Sequence, residues 1–484
     1  MSPLPLAKLL SLSCLITFAH LAYAENKSAL WSFQQTVKTA QKNDPWLVGN
    51  KHQQQAVESM SHVANSLPDP KMSLAIANLP TDGFDFSQEG MTQFKVGISQ
   101  MFPRGDSQAI KNQQLQIESQ AYPFQRADRE AKVAVTVGSL WLDAYRVQQS
   151  ISLIEQNRSL FEQLADVAQA SYSSALGKTR QQDIVRAQLE LTRLDDRLDI
   201  LNQQQNAYLG RLAQWLSTAF SSSDQQDTLK AISQLHNIHL TAELPSLDLL
   251  NQSLLENQKH IDIDQLAKHL AKHPAVRALE KKISATKTGV NLAEQQYTPE
   301  WGVNASYGYR DDDPIGNSRA DFFTVGVTFD LPLFTENHQD MAVKSAVSKT
   351  EAVKTEKILL LRRLLGSFSS AKARLLRLHQ RKSLYSNKLL PQIHDQAEAS
   401  LTAYTNDDGD FAEVVRSRIA VLNAEIDQLK INVDEQKIKL ELNYLFVGDI
   451  KQNTSALNRE YNREYNRQYS SQFNHQYNAV KQGE

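Results

Sequence analysis

Hydrophobic and polar residues follow two different periods along this chain, and the two periods come in a fixed order. Four short segments alternate strictly. Met72, Leu74 and Ile76 are interleaved with Ser73, Ala75 and Ala77, and Phe94, Val96 and Ile98 with Lys95, Gly97 and Ser99. Trp301, Val303, Ala305, Tyr307 and Tyr309 are interleaved with Gly302, Asn304, Ser306, Gly308 and Arg310, and Phe323, Val325, Val327, Phe329 and Leu331 with Thr324, Gly326, Thr328 and Asp330. Period two predicts strands with one greasy, aromatic face and one small or polar face. Polar tips at Thr81-Asp82-Gly83 with Gly90, and at Asp311 to Asn317, pair them into hairpins over about 70–103 and 299–334. Each strand is about nine to eleven residues, enough to cross a bilayer at a tilt. A soluble, half-buried sheet alternates in the same way, so alternation alone leaves both readings open.

The second period is helical. Residues 25–66 read as helix, with Trp31, Val37, Trp46 and Val57 among Gln and Lys, ending at Pro68-Asp69-Pro70. After each hairpin comes a far longer helical stretch. Arg104 to Ala175 would span roughly 108 Å as one helix, and Asn337 to Asn406 about 105 Å. One proline interrupts each, Pro123 and Pro391, which predicts a kink or short break. The chain turns at Leu176-Gly177-Lys178 and at Asn406-Asp407-Asp408-Gly409, and return helices run from about Thr179 to Leu216 and from about Asp410 to Val447. The apolar stripe (Val133, Val137, Leu140, Trp141, Ala144) is narrow and broken by Gln and Arg, as in a helix packed along one seam and wet elsewhere.

These landmarks occur twice in one register. Phe94-Lys-Val-Gly-Ile-Ser with Pro103 returns as Phe323-Thr-Val-Gly-Val-Thr with Pro332. Pro45 returns as Pro274 and Pro70 as Pro299, and Asp183-Ile-Val-Arg-Ala187 as Glu413-Val-Val-Arg-Ser417. The chain thus reads as a duplicated half-molecule: a first repeat over 25–220, with a helical hairpin over about 104–216, and a second over 261–450, with its helical hairpin over about 337–447. Residues 221–260, opening on Ser221-Ser222-Ser223, link them. Residues 451–484 repeat Asn-Arg-Glu-Tyr with almost no aliphatic side chains, a composition expected to stay disordered.

Composition narrows the function. Residues 1–24 read as an export signal: Lys8, an apolar run over 9–19 too short to span a bilayer, and Ala22-Tyr23-Ala24 as cleavage site. Cys14, the only cysteine, lies inside it, with lipidation as the lesser alternative; a chain cleaved there has no disulfide and no cysteine nucleophile. Basic and acidic residues nearly balance, 52 against 54, which argues against nucleic acid as partner. Neither a Gly-rich phosphate loop nor a Gly-x-Ser-x-Gly elbow occurs, so we expect no catalytic site, no cofactor and no enzyme. His269-x-x-x-His273 has one-turn ligand spacing but lacks the Glu of a zinc protease helix, and His236-x-x-His239 is no stronger; no metal site is expected. The scattered Met60, Met72, Met91, Met101 and Met341 read as packing residues.

Four strands cannot close a barrel in lipid, because open edges leave backbone groups unpaired. Three chains pooling their hairpins would give twelve strands, and the same multiplication would assemble the helices into a hollow cylinder on the order of 100 Å deep. The fold class expected is therefore mainly α with a transmembrane β-barrel contribution, duplicated in strand-pair plus long-helix halves. A periplasmic coiled-coil spacer or adhesin would explain the helices but not four alternating strands at matched positions.

Over residues 25–450 the chain resembles the TolC-like outer membrane factors. The resemblance rests on the duplicated plan and on Leu67-Pro-Asp-Pro70, Ser99-Gln-Met-Phe-Pro-Arg-Gly105, Gly177-Lys-x-x-x-Gln-Asp183-Ile-Val-Arg-Ala-Gln188, His273-Pro-Ala-Val276 and Tyr297-x-Pro-Glu300. It implies a homotrimer with a twelve-stranded barrel in outer membrane lipid, continuous with a periplasmic α-helical barrel. It also implies a periplasmic adaptor protein and an inner-membrane transporter of RND type as partners, and export of heavy-metal cations or drugs; the exit duct of a type I protein secretion system is the alternative. The Pro-Asp-Pro and Ser-Gln-Met-Phe-Pro segments most resemble the heavy-metal branch.

In such proteins the inter-helix turns form the periplasmic tip, and carboxylates on the following helix narrow the entrance. The residues this places at the tip are Gly177, Asp183, Arg186, Asp407, Asp408, Asp410, Glu413 and Arg416. Asp407 stands where glycine is usual. Glu413 matches an acidic gate position, and Arg416 stands where a second carboxylate can occur. Three copies of Glu413 would make a cation-favouring ring, with Arg416 tying helices together when shut. An acidic helix N-terminus favoured by the helix dipole is the plainer reading.

Overall fold

The structure, a computed structural model, describes residues 30–173, 180–217, 238–252, 263–406 and 408–449. The expected export signal, the 451–484 tail, most of the 221–260 linker, His236, Gly177 and Asp407 lie outside the described residues.

The first half runs β1 (Leu30–Trp31), α1 (Phe33–Lys42), α2 (Pro45–Ala64), β2 (Lys71–Ala77), β3 (Gln93–Phe102), α3 (Ser107–Ser119), α4 (Tyr122–Ser173) and α5 (Gln181–Leu216). Then come β4 (His239–Leu240), α6 (Ile263–Ala271), α7 (Pro274–Glu294), β5 (Trp301–Tyr309), β6 (Phe322–Phe329), α8 (Gln339–Leu384), a π turn (Tyr385–Leu389), α9 (Leu390–Thr405) and α10 (Phe411–Leu445).

Prolines explain where helices start and how they bend. The single helix expected over 25–66 is two, because Pro45 opens α2. A proline lacks only an N–H that the first helical turn does not use, and Asp44 caps the new start by accepting the Trp46 N–H at 3.1 Å. Pro274 repeats the device in α7, with His273 in the place of Asp44. The expected break at Pro123 is present: α3 ends at Ser119, and α4 begins with Pro123 in its first turn. Pro391 acts differently. Its ring crowds the carbonyl four residues back, and the helix widens by one residue ahead of it. Leu390 N–H reaches Tyr385 O, five residues back, and residues 339–405 continue as one helical rod of about 100 Å.

Strands β2, β3, β5 and β6 form one antiparallel sheet in that order. Its register aligns the two faces across all four strands. One row reads Leu74, Val96, Tyr307, Phe323; the next, on the opposite face, reads Ser73, Gly97, Ser306, Thr324. The last strand ends at Phe329, so Leu331 lies beyond it. There Asp330 accepts the Glu300 N–H at 2.7 Å and pairs with Arg104. At this junction Gly105 has φ +43°, a left-handed conformation that glycine tolerates, and Gln295 from the other repeat caps the start of α3 by accepting the Asp106 N–H at 3.0 Å. The two repeats therefore interlock where sheet meets helix.

The helices bury three apolar clusters. One gathers Phe33, Trp141, Leu212, Leu240 and Val433; a second gathers Leu266, Val276, Phe368, Ile438 and Phe446; a third, by the inter-helix turns, gathers Ile154, Phe161, Ile184, Phe411 and Val415. Helix α10 supplies all three and is buried around much of its circumference, since it lies among α4, α8 and α9. The parallel pair β1–β4, Leu30 against His239 and Trp31 against Leu240, ties the linker to the N-terminal segment. No helix among the described residues is long and apolar enough to cross a membrane, which says nothing of a β-barrel.

Candidate functional site

Two features of the chain invite a function: the uncovered sheet and the paired helix turns. On the sheet, the greasy rows project away from the rest of the chain. Met72 is 70% exposed and Phe323 72%, with Leu74, Ile98, Tyr307 and Val325 also exposed. At roughly 25 cal/mol per Å2 such a surface is unfavourable in water, and an apolar patch of this extent marks a membrane or partner surface. Strands β2 and β6 each leave one edge unpaired. At the far end from the helices, Arg310 and Arg319 donate to the Gly90, Ser87 and Glu89 carbonyls, pinning the two hairpin tips together.

The two helix turns meet at one end of the rods. Val167, Arg180, Asp183, Tyr404, Asp408 and Asp410 line a shared cleft of about 650 Å3. Gly409 is required there, since a Cβ would lie 2.6 Å from Tyr404 N. Asp183 and Glu413 occupy the same third position of their return helices but do different work. Asp183 is buried and accepts the Arg180 N–H at 2.9 Å, closing the α5 N-terminus. In the second repeat Asp410 does the capping, accepting the Ala412 N–H at 3.1 Å. Glu413 is thereby released from that duty and pairs with Arg416 one turn along the same helix. Arg416 thus binds within α10. Arg186 and Asp408 are exposed on the same end.

The histidine pair is structural. His273 is fully buried, with Nδ1 accepting the Ala275 N–H at 3.2 Å and Nε2 against the Tyr444 carbonyl at 3.2 Å, so both ring nitrogens are used. His269 instead meets Asp449 at 2.7 Å. No group of three metal-ligating side chains occurs among the described residues. Desolvation holds His273 below its ordinary value of 6.5, reinforced by Lys132 and opposed by Asp128 and the Tyr444 carbonyl. Burial also raises the Tyr444 hydroxyl, which donates to Asp128 at 2.8 Å. The unfolded chain protonates this imidazole first. Its contribution to stability is therefore full above pH 6.5 and falls as pH drops from there toward the lower folded value. Denaturant titrations on either side of that pH should show the loss, and His273→Gln should flatten it.

Neither a protein-family model nor a curated protein matches the chain by sequence. Solved structures do match. The Campylobacter jejuni CmeC outer membrane channel superposes with a TM-score of 0.67 at 12% identity, over 86% of this chain and 85% of that one. The chain has the outer membrane channel fold. The outer-membrane channel OprN gives 0.66 at 13% identity, over 86% and 89%, and VceC of Vibrio cholerae 0.65 at 12%, over 86% and 95%. At such identities the shared property is the backbone path. Within the channel fold, the sequence marks Arg104 only as part of the strand-ending Ser99-to-Gly105 segment and leaves Gln295, which joins sheet to helices from the other repeat, unremarked.

Proposed function

We propose that this protein is the outer membrane exit duct of a tripartite efflux system. Three protomers pool their hairpins into a twelve-stranded barrel in outer membrane lipid, and their long helices continue it through the periplasm. A periplasmic adaptor and an inner-membrane transporter of RND type would load it with heavy-metal cations or drugs. The observation that carries the reading is the registered apolar face of four strands, uncovered by any described part of the chain and bounded by two unpaired edges. In lipid both must be resolved, the face by hydrocarbon and the edges by further strands. Fractionation tests it: a detergent-extracted, trimer-sized species in the outer membrane is expected, and a salt-soluble periplasmic monomer would refute it.

The acidic helix turns would form the periplasmic entrance. Three copies of Glu413, with Asp408 and Asp410 beside them, would make a cation-favouring ring at that end, and Arg416 would tie helices together when it is shut. Single-channel recording of Glu413→Ala should show raised conductance and weaker cation preference at the entrance. Unchanged currents would remove the gate role.

A further inference from the structure

The inward rows of the sheet carry a charge of one sign. If the greasy face meets lipid, the other face meets the lumen, and the register shows what stands there. One row reads Ala75, Lys95, Gly308, Phe322; two rows along, another reads Lys71, Ser99, Asn304, Gly326. No Asp or Glu occupies any inward position of the four strands. Lys95 has Ala75 and Gly308 directly beside it, with the neutral Gln93 side chain lying over Gly308 and no carboxylate among them. Neither lysine forms an ion pair with a described residue. Of the carboxylates bordering the sheet, Asp321 accepts the Arg310 N–H at 2.9 Å, Asp330 pairs with Arg104, and Asp69 stands two residues before Lys71, outside β2. Glu300 immediately precedes β5, and its N–H donates to Asp330. The acidic hairpin tips stand in open solution, where salt screens them.

We infer that Lys71 and Lys95 make the barrel lumen an anion-preferring sleeve, so that of the two cargo classes proposed above the duct favours drugs carrying net negative charge over heavy-metal cations. This rests on the exit-duct reading: three-fold repetition turns each lysine into a ring, and the rings lie about 14 Å apart along β3. Rings of like charge in a confined lumen set ion preference, with lysine and arginine favouring anions. The same residues in a soluble sheet would be ordinary solvated lysines.

Cysteine chemistry tests this without requiring the entrance to open, because Cys14 is the only native cysteine. Ser73→Cys puts a thiol between the two rings, and Leu74→Cys puts one on the greasy face. With the full-length protein in outer membrane vesicles, a water-soluble anionic thiol reagent and a cationic one are applied from outside. Ser73→Cys should react with both and Leu74→Cys with neither. The anionic reagent should be faster at Ser73→Cys by about tenfold, the lower end of electrostatic focusing. Adding Lys71→Gln and Lys95→Gln should abolish that preference, and Lys71→Glu with Lys95→Glu should invert it. Equal rates, a cationic preference, or a ratio unmoved by the lysine substitutions overturns the inference and leaves the duct standing. Equal reaction of both thiols, or of neither, shows that the sheet encloses no aqueous lumen and brings down the exit-duct reading itself.

Discussion

Ile98→Arg is expected to abolish accumulation of the protein in the outer membrane, while Thr324→Arg leaves it near the native level. Ile98 lies mid-strand on β3, between Met72 and Ala305 in the register, and is exposed on the greasy face. Thr324 lies on the opposite face, in the row of Ser73, Gly97 and Ser306. An arginine facing lipid near the bilayer midplane costs about 2–4 kcal/mol per site, which in the proposed trimer amounts to roughly 6–12 kcal/mol. The same side chain facing an aqueous lumen stays hydrated. A sheet with both faces in water makes no such distinction, since both substitutions would then stay hydrated. Comparing the heat-modifiable, detergent-extracted trimer of the two variants separates the cases, and equal yields would refute the assigned faces.

The features that the sequence makes legible are those written in local periodicity. Alternation identifies four strands and sorts their faces, and the repeat spacing places them in matched pairs. Features that depend on long-range pairing are not legible this way. The β1–β4 ladder joins Leu30 to His239 with two residues on each side, too short for any period to register. The two prolines of the long helices look alike in sequence. Pro123 falls where α3 has already ended, whereas Pro391 lies within a rod whose neighbours hold it in line, and a π turn relieves the crowding. The tip carboxylates are visible as an acidic cluster, but their division of labour is not. Whether an N3 carboxylate turns back to the cap or outward depends on the capping residue: Arg180 has no carboxylate to offer and Asp410 does. Asp183 is therefore a buried structural group, while its repeat mate Glu413 is available at the surface.

Trp141→Ala should destabilise the helical region by about 3–5 kcal/mol, the range for emptying a large aromatic site in a packed core. Trp141 is fully buried in α4, with Phe33 edge-on at 5.6 Å and Tyr145 stacked at 5.4 Å. Its indole N–H donates to the Trp31 carbonyl at 3.0 Å, so one side chain joins α1, β1 and α4. Trp141→Phe keeps most of the packing and loses mainly the hydrogen bond, about 0.5–1.5 kcal/mol, since the Trp31 carbonyl also accepts the Thr241 N–H at 3.4 Å. Denaturant unfolding followed by circular dichroism in detergent should rank native, Trp141→Phe and Trp141→Ala in that order. This loss should differ in kind from that of Ile98→Arg. Trp141 packs in the cluster of Phe33, Leu212, Leu240 and Val433, which includes no residue of the four-stranded sheet, so its variant should still reach the outer membrane, and the damage should appear as proteolysis of the periplasmic helices. If Trp141→Ala instead eliminated membrane accumulation while helical stability was unchanged, this cluster would be serving insertion, and the separation of sheet from rods would fail.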